Sequence, residues 1–286
     1  MTTRPDPAEE SALSGPLRPT SSATMSTKES TFAETDGTAE RARTRPRISD
    51  PRSAFGLSGR DLAVLGFLAT VPFAAQYQVR ERFFRGRSDV PGSRCVQRLL
   101  RLGFVLVQRW RGVGINLVRT TEAGRAMAMA YADVAEDDVF VSRWPSVSAL
   151  PHTLWIIDAL IAIGDIAKVR VSPCWALRRR AAGTREPVPD LLIETVGGKH
   201  VVVAEIDLAT ESIRRVVLPK ISALRATKWS ESVTSPTILI LTIGSRRKES
   251  LERQIPTDIV PARVVLLPEV EGQAAIAALR ALFKGL

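Results

Sequence analysis

Apolar positions between residues 57 and 132 recur first at helical and then at alternating spacing. Leu62, Leu65 and Leu68 lie three apart, with Val64 and Phe67 widening the face, which predicts an amphipathic helix. Ser58 and Asp61 supply a capping-box-like start, with Asp in place of the usual Glu. The stretch Thr70-Val71-Pro72 breaks this helix, because proline disfavours helix in the residue before it. A second helix is predicted over 74–84, closed by Gly86 and Pro91-Gly92, and a third over 93–102, stopped by Gly103. Val96, Leu99 and Leu100 form the inward face of that third helix. Residues 104–110 and 115–120 then read as two strands around a Gly112/Gly114 turn, and Thr121-Glu122-Ala123-Gly124 leads into a helix over 125–131. Three helices, a two-stranded wing and a helix are the order of a winged helix-turn-helix.

Beyond residue 132 the spacing alternates between the two periods. Helix is predicted over 153–163, strands over 169–175, 188–195 and 200–207, helix over 211–228 with a break or kink at Pro219, and strand over 237–243. A helix over 246–254, a strand over 263–267 and a helix over 272–283 complete the chain. Val196-Gly197-Gly198-Lys199 is a hairpin signal between two of the strands. This α-β-β-β-α-β-α-β-α order implies a mixed sheet flanked by helices. The fold class expected is therefore a two-domain α+β or α/β chain: residues 57–132, a linker at 133–149, and residues 150–286. Residues 1–56 contain 6 Pro, 8 Ser and 9 Thr, and they read as a disordered tail. Arg41, Arg43, Arg45 and Arg47 end this tail as a short basic arm, either a solvated linker or a reach into a DNA groove.

Charge sharpens the picture. The chain has 286 residues and a net charge of +10. Residues 1–56 balance at zero, 57–132 carry 12 Arg against 4 acids, and 133–286 carry 20 basic against 18 acidic side chains. The excess sits in the winged-helix segment, the footprint of a polyanion-binding module. Arg94, Gln97, Arg98 and Arg101 recur on the face of the third helix opposite its apolar side, where arginine can pair with guanine and glutamine with adenine. Arg109, Arg111 and Arg119 in the wing are candidates for phosphate contacts. The plain alternative is a solvated arginine face.

No apolar run reaches the roughly 20 residues a membrane helix needs, and the N-terminus has no apolar signal core. Cys95 and Cys174, with His152 and His200, are too few and too scattered for a closed zinc site or a disulfide framework. A cytoplasmic protein with no membrane partner is expected. The sequence also lacks a GxSxG elbow and a GxxxxGK[ST] loop. His152 reads as a residue near the start of its helix rather than a general base. Trp155, Trp175 and Trp229 read as core or interface aromatics.

Three acids stand out in the second half. Pro189-Asp190 opens one hairpin strand and Glu205-Ile206-Asp207 ends the next. Alternation puts Glu205 and Asp207 on one face, and Asp190 lies beside them if the turn falls at Gly197-Gly198. Asp190, Glu205 and Asp207 would then hold Mg²⁺ as a metal-binding and catalytic group, with Asp158 as a fourth ligand. The alternative is a structural sheet edge whose acids pair with arginines such as Arg178 or Arg214.

Pro-Asp, a spacer and Glu-x-Asp resemble the signature of the restriction-endonuclease-like superfamily over about residues 150–245. There the expected lysine is replaced by Asp207, and Lys220 on the following helix is the residue that would stand in for it. Over about residues 57–245, with the N-terminal tail left outside, the chain resembles the replication-relaxation family of actinobacterial and other Gram-positive plasmids and mobile elements. The resemblance rests on 61–68, 98–104, 121–124, His152 to Asp158, Trp175 to Arg178, Pro189-Asp190 and 205–207. It implies a winged-helix protein that binds double-stranded DNA, carries a nuclease-like second domain with a vestigial carboxylate site, and assists plasmid replication, relaxation or mobilisation beside other replication or relaxosome proteins. Two rival functions are a Mg²⁺-dependent DNA nuclease using Asp190, Glu205 and Asp207, and a transcriptional regulator.

Overall fold

A computed structural model of the chain describes residues 55–112, 114–140, 144–182, 186–196, 200–229, 236–255, 262–270 and 272–284. The expected tail, apart from Phe55 and Gly56, lies outside these residues, as does the expected Gly197-Gly198 turn. The architecture is mixed α+β. The first half runs α1 (Gly59–Thr70), β1 (Ala74–Ala75), α2 (Gln76–Phe83), α3 (Asp89–Arg101), β2 (Val105–Trp110), β3 (Ile115–Thr120) and α4 (Glu122–Tyr131). Its three strands form an antiparallel sheet in the order β1-β3-β2, with Ala74 opposite Val118 and Val107 also opposite Val118.

Local chemistry explains where these elements begin. The backbone N–H of Asp61 donates to Ser58 Oγ at 3.2 Å while that of Ser58 donates to Asp61 Oδ2 at 2.9 Å, so the capping box closes with aspartate. Thr121 caps α4 through Gly124 N–H at 3.1 Å, so this helix starts at Glu122, three residues earlier than periodicity predicts. The second helix starts later than expected, at Gln76, because Ala74–Ala75 pair with β3 instead. The third starts earlier, at Asp89: Pro91 sits in the first turn, where its missing N–H costs no helical hydrogen bond.

The second half contains α5 (Leu150–Ile163), β4 (Val169–Pro173), α6 (Cys174–Arg180), β5 (Leu191–Thr195), β6 (Val201–Asp207), a wide turn at Ile213–Val217, α7 (Leu218–Ala226), β7 (Thr237–Thr242), α8 (Ser245–Gln254), β8 (Ala262–Leu266) and α9 (Gln273–Lys284). The strand expected over 169–175 stops at Pro173, after which the short α6 coils. The helix expected over 211–228 is divided: the wide turn precedes α7, which carries Pro219 in its first turn. The sheet order is β4-β5-β6-β7-β8. β4, β5 and β6 are antiparallel, and β6, β7 and β8 are parallel.

Ala204, Ile206, Leu239 and Leu241 pack on the face covered by α5 and α9. Val201, Val203, Ile238 and Ile240 pack on the other, against Val217, Ile221, Leu224 and Leu251. The first of these buried clusters also contains Leu62, Leu65, Leu99 and Val118, so one apolar core runs through both halves. The connecting segment is anchored as well. Phe140 N–H donates to the Ala69 carbonyl at 2.7 Å, Val139 is buried, and Trp175 Nε1 donates to the Thr70 carbonyl at 2.9 Å. Cys95 and Cys174 are free and buried. No helix among the described residues is long and apolar enough to cross a membrane.

Candidate nucleic-acid interface and carboxylate site

Helix α3 buries Cys95, Val96 and Leu99 and turns Arg94, Gln97 and Arg101 outward, all three exposed. With Asp89, Val90, Ser93 and Arg98 they line a shallow surface groove. Arg98 is held differently. Its Nη1 donates to Asp61 Oδ2 at 2.7 Å, and its side chain is only partly exposed. Burial opposes ionisation of Asp61, but its hydrogen bonds with Ser58 and the Arg98 charge hold its pKa below the ordinary carboxylate value. Three of the four predicted base-reading side chains thus share an open surface, and the fourth also braces the N-terminus of α1.

In the β2–β3 hairpin Arg109 and Arg111 are exposed. Arg119 is set apart: its guanidinium lies 4.7 Å from the centre of the Trp144 ring, against the segment that connects the two halves.

In the second half, the β5–β6 register pairs Leu191 with Ala204, which brings Asp190 beside Glu205 at the end of the ladder. Both carboxylates are buried. Asp190 Oδ2 accepts from Ile206 N–H at 2.8 Å and lies 3.0 Å from His152 Nε2. Lys220 Nζ, from α7, donates to Glu205 Oε2 at 2.5 Å. Glu205 Oε1 is buried and has no hydrogen-bond partner among the described residues. His152, Asp190, Glu205 and Lys220 line one cleft of about 180 Å³, together with Arg178.

The electrostatics separate the two acids. Burial works against the Asp190 charge, but His152 and Lys220 outweigh it and lower its pKa. Burial and the neighbouring Asp190 charge push Glu205 up, against the pull of Lys220. For His152, burial is outweighed by Asp190, and its pKa rises. Asp190 is therefore the charged member and Glu205 the reluctant one.

Two predicted ligands are corrected. Asp207 does share the Glu205 face, but Arg247 Nε and Nη2 grip its carboxylate at 2.7 and 2.9 Å and Thr242 Oγ1 donates at 3.0 Å, so its lone pairs are committed. Asp158 faces the first half, where Gln78 Nε2 and the Tyr77 hydroxyl donate to it at 2.7 and 3.0 Å. Among the described residues no group of three or more His, Cys, Asp or Glu side chains is arranged to hold a metal. Of the three or four carboxylates expected as metal ligands, only Asp190 and Glu205 remain as candidates. This pair fits a Mg²⁺ that keeps most of its water, since such ions use one or two carboxylates and Glu205 Oε1 is an unclaimed buried oxygen. Neither Arg178 nor Arg214 pairs with the acids: Arg178 lines the cleft, and Arg214 Nε donates to Gln254 Oε1.

His152 is the site residue that sequence reasoning passed over. It lies 38 residues before Asp190, a separation that no local pattern reports. No family model, no curated protein and no solved structure matches this chain.

Proposed function

We propose that this protein binds double-stranded DNA through a winged helix, with α3 in the major groove and the β2–β3 hairpin against flanking phosphate. It acts as an accessory factor of plasmid replication, relaxation or mobilisation. The observation that carries this reading is the side-by-side exposure of Arg94, Gln97 and Arg101 on one face of α3. The α-β-α-α-β-β order around the β1-β3-β2 sheet agrees with it, because such a module presents its third helix to the groove. The test is a gel shift across a salt series on random and selected duplexes. Neutralising about five phosphates gives a log–log slope of about −4 to −5. A salt-insensitive complex removes the reading.

A second reading, metal-dependent phosphodiester cleavage by a restriction-endonuclease-like domain, is favoured by one specific contact. Lys220 places its ammonium on Glu205 although Asp207 occupies the motif position. Asp190 and Glu205 would hold Mg²⁺, which when bound supplies Lewis-acid stabilisation of phosphoryl charge. Lys220 orients the Glu205 carboxylate and keeps positive charge beside the cleft. His152 fixes Asp190 through Oδ2, with the Ile206 N–H on the same oxygen. Supercoiled plasmid with Mg²⁺ or Mn²⁺ tests this. Nicking that Asp190→Ala and Glu205→Ala abolish supports the enzyme, whereas a gel shift without nicking leaves the accessory role.

A further inference from the structure

A second crevice, of about 270 Å³, opens where α1, α2, α5, β4 and α6 meet. Three arginines from separate elements line it: Arg82 of α2, Arg170 of β4 and Arg180 of α6. The sole acidic side chain in its lining is Asp138, whose Oδ1 lies 3.6 Å from Arg180 Nη2. Among the described residues Arg82 and Arg170 make no hydrogen bond or close ion pair, although the Asp165 charge acts on Arg82 and Glu194 lies opposite Arg170 in the β4–β5 register. Arg82 is nevertheless held in place, with its guanidinium 4.8 Å from the Phe67 ring centre and 5.6 Å from that of Phe83. Between the cations the floor is apolar, formed by Val71, Leu160, Pro173 and Ala176.

The backbone adds a donor. β4 is an edge strand, paired only with β5. Cys174 N–H bonds to the Asp190 carbonyl and Val196 N–H to the Lys168 carbonyl, so residues of even number face β5. Antiparallel alternation then turns the Val171 N–H toward the open side, where Val171 lines the crevice. Pro173 offers no N–H and the strand is five residues long, which disfavours an added peptide strand here.

We propose that this crevice binds a small phosphorylated ligand with a flat apolar body, of mononucleotide size. The volume lies near the lower end of ligand sites, roughly 300 Å³ upward. Guanidinium groups recognise phosphate oxygens bidentately, and the Val171 amide supplies a further donor. The apolar floor provides the surface against which a ring can lie. No part of this site is shared with the α3 face or with the Asp190–Glu205 cleft.

Isothermal titration calorimetry of the full chain with AMP, adenosine and inorganic phosphate tests the proposal. AMP is expected to bind saturably at one site per chain, more tightly than either fragment. A double variant, Arg170→Ala with Arg180→Ala, is expected to weaken AMP binding at least about tenfold. Both positions are exposed, so this variant should melt and shift duplex DNA as the parent does. Absence of AMP binding, adenosine binding as tightly as AMP, or unchanged affinity in the double variant overturns the proposal. Loss of duplex binding together with AMP binding also overturns it, by assigning these arginines to the DNA surface.

Discussion

Gln78 of α2 donates a 2.7 Å hydrogen bond to Asp158 of α5, a carboxylate that is 3% exposed and meets only neutral donors at this joint. Burial pushes the Asp158 pKa from 3.8 up to about 7, against the pull of Gln78 and Tyr77. The folded chain therefore holds a proton that the unfolded chain has released between those two values. Stability from this group is complete below pH 3.8 and is lost as pH rises through about 7. Urea melts from pH 5 to pH 8 should show a falling contribution that Asp158→Asn flattens. An unchanged slope in that variant would assign the dependence to another group.

Arg247 and Asp207 make the opposite kind of pair, a buried acid matched by a bidentate cation. Arg247→Ala leaves that carboxylate unpaired and should destabilise the fold by about 3–5 kcal/mol in denaturant melts. Asp207→Asn is expected to leave any metal-dependent nicking intact while Glu205→Ala removes it: both residues line the cleft, but the Asp207 oxygens are taken by Arg247 and Thr242, whereas Glu205 keeps Oε1 unclaimed. Equal loss of nicking in folded forms of both would restore Asp207 to the metal site.

On the proposed DNA face the arginines should separate by behaviour. Arg94→Ala or Arg101→Ala is expected to cost about 1–3 kcal/mol at a preferred duplex, with thermal stability unchanged. Arg98→Ala should lower both, since it also abandons the buried Asp61. Gel shifts paired with melting curves distinguish the two outcomes.

Gly124 is a sharper case. A Cβ built there would lie 2.0 Å from the carbonyl oxygen of Phe104, a backbone atom with no rotamer in which to escape. Gly124→Ala should destabilise the first half by about 1–3 kcal/mol or more, read as a lowered melting temperature.

Periodicity was enough to read the order of nearly all the helices and strands, because most are amphipathic and bury one face. It also put Glu205 and Asp207 on one side of β6 and Asp190 beside Glu205. What it could not supply was the partner of each acid. Arg247 lies 40 residues from Asp207, Lys220 lies 15 from Glu205, and Gln78 lies 80 from Asp158. Alternation fixes which way a side chain points but says nothing of what tertiary packing brings to meet it. β1 escaped notice for a related reason: two alanines carry no period, and only pairing with β3 makes them a strand.

The apolar cluster that joins Leu65 and Leu99 to Ile157 and Leu241 has a mechanical corollary. Severing the polypeptide near residue 149 would strip one side of that shared interior from each fragment, so neither piece is a cassette that can be transplanted alone. Heat or denaturant should melt the two halves in a single cooperative step.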